Sequence, residues 1–230
     1  MKTLASGLLV ASALVCLTSV SFGATGVKIS QVYGGGGGTG AATYNVDYVE
    51  IFNSSSIAVN IGGWTVEYGS ATGNWGSSAT NIFTFPAGTT IQPCTYMLTS
   101  QGTAGTGGGP LPIPADFFGT LTISATNGKI GLFKSVNTNL ACGSEVAGTL
   151  IDKVAFGTAN CAEGTAVAAL SITTGAVRNG GGTVDSDNNV ADFTVTTAPV
   201  PHNSLSARNP ACTTSPALPS TWGAVKSLYR

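Results

Sequence analysis

His202 is the only histidine in the chain, just 8% of the residues are charged, and no C-x-x-C pair occurs. These shortages close off chemistry class by class. Acyl transfer needs a nucleophile, a base and an orienting group. His202 lies between Pro201 and Asn203 in an expected exposed turn, and no G-x-S-x-G elbow accompanies it. A zinc site needs clustered Cys and His ligands, and one His with dispersed cysteines does not supply them. Nine basic and ten acidic residues give a net charge of −1 without a basic cluster. A phosphate-neutralising surface for nucleic acid is therefore excluded. Nothing among the ten acidic residues selects a pair at glycosidase separation. The glycines of segment 34–40 are followed by Ala41-Ala42-Thr43 and an expected strand. A phosphate cradle needs Lys-Ser or Lys-Thr and a helix N-terminus at that point. The residues thus assign neither a catalytic nor a cofactor site.

The one long apolar run is at the start. Met1-Lys2 carries a positive charge, residues 4–17 are apolar, and small residues surround Ser21-Phe22-Gly23-Ala24. That layout predicts a signal peptide over residues 1–24, cleaved near Gly23/Ala24. The run is too short and Ser-interrupted to span a bilayer comfortably, so no membrane span is expected in the mature chain. Cys16 follows Val15 where a lipoprotein would need a small residue. The expected location is secreted or cell-surface.

Roughly 205 residues then remain, enough for one all-β domain with a sizeable core. Hydrophobic residues make up 43% and glycine numbers 32, which suits short strands joined by tight turns. Strands are expected at 27–33, 47–53, 59–68, 81–85, 91–99, 119–124, 129–134, 150–157 and 192–196. Asn127-Gly128 is the strongest hairpin signal, since both residues accept positive φ. Only 162–170 fits a helical turn or two. Segments 34–40 and 102–109 read as long, mobile surface loops. The pattern predicts a β-sandwich over 25–208, with a linker and tail over 209–230. The tail's aromatic and basic residues, Trp222, Lys226, Tyr229 and Arg230, suit either a sorting peptide or a frayed end.

Four cysteines survive leader removal. An even count in an exported chain favours disulfides, and of the three possible pairings Cys142–Cys161 with Cys94–Cys212 is expected. The densest oxygen-ligand cluster is Asp185, Asp187, Asn189 and Asp192. It offers alternating hard-cation ligands but lacks the EF-hand glycine, and Thr196 stands where a bidentate Glu belongs. It is kept as a candidate structural calcium site against the simpler reading of a solvated Asx-rich turn.

The string VKISQVYGGGGGTGAATYNVDYVEIFN over 27–53 resembles the bacterial, secreted branch of the lamin tail domain family. There a first strand ends in Tyr-Gly-Gly-Gly and a second reads Asp-aromatic-aliphatic-Glu-aliphatic-aromatic-Asn. Gly62-Gly63-Trp64, Ile151-Asp152-Lys153-Val154, Arg178, Asp185 to Asn189, Asp192-Phe193 and Asn203 follow in the family's order. The signature residues carried over are Asp47, Glu50, Asn53, Gly63, Trp64, Asp192, Phe193 and Asn203. His202 stands where the family usually has Arg. The resemblance implies an immunoglobulin-like β-sandwich, at times attached to nucleases or other hydrolases. Read on their own, the same residues are folding constraints. Asp47 and Asn53 bond backbone at the strand ends, Gly62-Gly63 turns the chain, and Trp64 fills the core between sheets.

The expected function is an exported, non-catalytic module that binds an unknown extracellular protein or polymer through its Gly-rich loops or a sheet face. The alternatives are an accessory or binding domain for an extracellular hydrolase such as a nuclease, a carbohydrate binder, or a structural envelope component.

Overall fold

The computed structural model describes residues 26–212; the expected leader, 1–24, and residues 213–230 of the expected tail lie outside it. The strands are β1 Val27–Tyr33, β2 Asp47–Asn53, β3 Val59–Asn60, β4 Thr65–Ser70, β5 Ile82–Thr84 and β6 Thr90–Ile91. They continue as β7 Tyr96–Gln101, β8 Phe117–Gly119, β9 Gly128–Phe133, β10 Leu150–Phe156, β11 Thr174–Arg178 and β12 Phe193–Thr197, with one helical turn, α1 Asn189–Asp192.

They form an immunoglobulin-like β-sandwich. One sheet has the order β12-β11-β1-β2-β7-β8 and the facing sheet β10-β9-β4-β5, with β3-β6 as a small ribbon. All pairs are antiparallel except β7 with β8. Between the layers lie Val27, Ile29, Val32, Val49 and Ile51 from one sheet and Trp64, Val66, Tyr68, Ile130, Leu132 and Val154 from the other. Val66 and Tyr68 enter from one face of β4, as strand periodicity requires, and Trp64 joins them from the residue just before it.

The imperfect alternation of β1 has a cause. The register with β2 shifts between Ile29 and Gln31, so Ser30 is bulged. A bulge inserts one residue and inverts the alternation beyond it. Val27 and Ile29 therefore face the core before it and Val32 after it. A second shift, between Leu150 and Asp152, bulges β10.

Every residue of β2 is buried, on both faces. Loops and the chain's end cover the outer face of the six-stranded sheet. Tyr33, Tyr44, Tyr48 and Leu98 pack there beneath Leu111 and Ile113, and Phe52 lies against Tyr96.

Several expected elements differ. Run 59–68 is divided at Gly63, whose φ is +84°. Run 91–99 is broken at Pro93-Cys94, where Cys94 has φ +57°. Segment 119–124 is not a strand beyond Gly119. Leu121 and Ile123 are buried there, but their N–H groups donate to Gln101 Oε1 and Asp47 Oδ2, so side chains take the place of a neighbouring strand. Segment 162–170 holds no helix, and β11 lies where no strand was expected.

Candidate functional site

The family-like residues scattered from position 28 to 193 converge on Arg178. Its side chain is fully buried at the end of β11. The bulge at Ser30 leaves backbone groups of Ile29 without ladder partners, and side chains satisfy them. Arg178 Nε donates to the Ile29 carbonyl at 2.7 Å, while Ile29 N–H donates to Asp152 Oδ2 at 2.6 Å. Arg178 Nη2 reaches the same Asp152 oxygen at 2.6 Å and Nη1 reaches Asp185 Oδ1 at 3.1 Å. Lys28 closes on Asp185 Oδ2 at 2.9 Å, and the guanidinium lies 4.4 Å from the centre of the Phe193 ring. Asp192, also buried, accepts from Ser186 and Asn188 and lies 3.8 Å from Arg178. Glu163 borders this group. Burial, and then the negative charge of Asp152, push its carboxyl up to about 8. Such a network holds three distant segments in register; a buried charge is tolerated only when paired and hydrogen-bonded.

A second set of signature residues fixes the loops. Asp47, at the start of β2, accepts from Gly36 N–H and Ile123 N–H, both at 2.8 Å, and burial pushes its carboxyl up to about 6. Loops 34–40 and 102–109, expected to be mobile, are pinned to each other instead. Gly107 N–H donates to the Gly38 carbonyl and Gly105 N–H to that of Asn45. A Cβ on Gly107 would lie 2.0 Å from the Gly40 oxygen, so this approach requires glycine. Asn53 Oδ1 accepts from Ser55 N–H in an Asx-turn. Glu50, fully buried, accepts from Ser30 Oγ at 2.6 Å, from Gln31 and from His202 N–H. The His202 ring stacks on Tyr96 with centroids 4.5 Å apart and sets Nδ1 3.3 Å from Glu50. His202 is therefore half-covered and bonded, not the simple exposed turn residue expected. Its hydrogen bond to Glu50 raises its pKa. Asn203 Nδ2 donates to the Pro114 carbonyl, docking the last segment over the sheet.

The model of the Lamin Tail Domain family matches residues 21–174. The chain belongs to the lamin tail domain family. A solved DUF4876 family protein from Bacteroides thetaiotaomicron has the same fold, with a TM-score of 0.54, 12% identity, and coverage of 84% of this chain and 75% of that one. Comparison with curated proteins finds no match. The lamin tail match ends at Thr174, the first residue of β11, so Arg178, Asp185 and Asp192 complete the domain from outside the matched segment.

In this lamin tail domain the calcium candidates serve different partners. Asp185 faces Lys28 and Arg178, and Asp192 caps the turn at Ser186 and Asn188. Asn189 Oδ1 accepts from Ala155 N–H and Glu163 N–H. Asp187 is exposed, with φ +56°. The carboxylates that do approach one another, within 4.8 Å, are Asp152, Glu163 and Asp185. Arg178 already supplies positive charge to two of them. The cysteines are joined as Cys94–Cys212 and Cys142–Cys161. The first bond holds the start of the expected linker on the domain, where Asn209 is buried and donates to the Gly180 and Gly181 carbonyls.

Two surface features were not read from the sequence. A groove of about 500 Å³ lies between the disulfide-tied loop at Glu145 and Val146 and the side chains of Lys153, Glu163 and Asp187. At the Gly-rich end, Phe118 is 77% exposed on β8, a sheet-edge strand, beside Pro110, Ile113 and Pro114. The alternation of proline with Leu111 and Ile113 ahead of Phe117-Phe118 was the sequence signal that could have marked it. No helix among the described residues is long and apolar enough to cross a membrane.

Proposed function

We propose that this lamin tail domain is an exported, non-catalytic module that mediates an extracellular or cell-surface interaction, with the face around Phe118 as its contact surface. The observation that carries the reading is the pairing of a rigid platform with an exposed aromatic. Loops 34–40 and 102–109 are locked by backbone bonds and by Asp47, and Phe118 projects beside them. A pre-ordered loop end loses little entropy on binding, and an exposed aromatic with prolines around it is the composition of an interaction patch. The two disulfides support an oxidising, extracellular location. The motif residues Asp47, Glu50, Asp152 and Arg178 are all spent on internal bonds, which supports a scaffold over a reaction centre.

The test is retention of secreted protein on arrays of extracellular proteins and polysaccharides, with Phe118→Ser beside the wild type. Retention lost in the variant at unchanged melting temperature is the expected result. Retention that survives the substitution moves the surface elsewhere. Hydrolysis of an arrayed substrate overturns the non-catalytic assignment.

A further inference from the structure

Lys129, the second residue of β9, is fully buried. Opposite it on β4, Gly69 makes the room: a Cβ there would lie 2.7 Å from Lys129 Cε. Nζ sits 5.3 Å from the centre of the Trp75 ring, and it donates to the Asn160 side-chain oxygen. Among the described residues no carboxylate reaches it at salt-bridge distance. Asn160 follows β10 in a loop fixed twice, by its N–H bond to the Ala71 carbonyl and by the adjacent Cys142–Cys161 bond. Trp75 is itself fully buried, edge-on to Phe133. Its indole N–H donates to Glu145 Oε1 at 2.7 Å, and that oxygen is 3.2 Å from Cys161 Sγ. The indole thus presents its face to the amine and its N–H to a carboxylate.

We propose that Lys129 and Asn160 join in an intramolecular isopeptide bond after folding. The reactive atoms are already held together: the carboxamide carbon lies one C=O bond, about 1.2 Å, beyond the oxygen that Nζ contacts. Held in that geometry, a sluggish amine–amide exchange becomes effectively unimolecular. Burial lowers the pKa of the Lys129 amine, with the charge of Glu145 working the other way, so the neutral nucleophile is accessible. Nζ attacks the Asn160 carboxamide carbon, forming the new C–N bond. A proton passes from the attacking nitrogen to the departing amide nitrogen. The old C–N bond breaks and ammonia leaves. No oxidant, reductant or cofactor is needed. The product ties β9 to the loop after β10, one residue from the second disulfide.

Peptide-level mass spectrometry of the full-length protein, disulfide-reduced and trypsin-digested, decides the matter. The expected result is a branched peptide joining the Lys129 and Asn160 segments, lighter than the sum of the two linear peptides by one ammonia, with no cleavage after Lys129. Linear peptides with cleavage after Lys129 overturn the proposal. So does an ammonia loss confined to Asn160 alone, which marks a succinimide.

Discussion

Replacing Arg178 by Leu tests whether the convergent charges hold the fold. The substitution strips the partner from Asp152, which is 3% exposed, and leaves the Ile29 carbonyl at the β1 bulge without its donor. Removing one member of a buried pair costs about 3–5 kcal/mol because the other charge stays buried and uncompensated. The unpaired carbonyl overlaps with that cost, so about 4 kcal/mol is expected in total, with a fall in Tm of about 8–16 °C for a domain of this size. Urea unfolding followed by tryptophan fluorescence reads it directly, provided the m value is unchanged. Adding Asp152→Asn to Arg178→Leu is expected to add little, since the charge it removes is the orphaned one. A loss below about 1 kcal/mol in Arg178→Leu, the worth of a surface pair, refutes the argument.

Three further outcomes follow from the same structure. Asp47 has its ordinary pKa of 3.8 when unfolded and about 6 in the fold, so its contribution is full below 3.8 and is lost as pH rises through about 6. That difference is worth about 3 kcal/mol. Glu163, pushed up to about 8, and His202, raised by Glu50, act in the same direction. Thermal scans from pH 8 to pH 4 should therefore show Tm rising as the medium is acidified, and a Tm that falls over this range contradicts the assignment. Trp64→Ala empties the space between the sheets, and calorimetry should show a loss of about 3–5 kcal/mol. Replacing both Cys142 and Cys161 by Ser frees a loop of sequence separation 19, and denaturant midpoints should register a loss of about 3 kcal/mol.

The sandwich was legible because its strongest strands announce themselves. DYVEIFN and the run from Trp64 to Tyr68 alternate cleanly, and their inward residues are those that fill the core. β11 escaped because TGAVR offers only Ala176 and Val177 as apolar neighbours, with Gly175 just before them. Its partners β1 and β12 are what make it a strand. The reverse error, at 119–124, has a related cause. Leu121 and Ile123 alternate like a strand, but Gln101 and Asp47 supply the acceptors, which no local pattern reveals. Individual members of the Arg178 cluster were visible as motif residues, yet their meeting was not. It depends on two bulges, at Ser30 and Ile151, that bring backbone and side chains from three strands together. The loops 34–40 and 102–109 looked mobile because glycine composition reports freedom in isolation; it says nothing of a second glycine-rich segment close enough to share hydrogen bonds.

The measurement that bears most directly on an exported lamin tail scaffold is non-reducing peptide mapping of the protein recovered from culture medium. It is expected to begin near Ala24 and to contain the Cys94–Cys212 and Cys142–Cys161 linkages. Protein retained in the cytosol with four free thiols, or linked in any other pairing, contradicts the account.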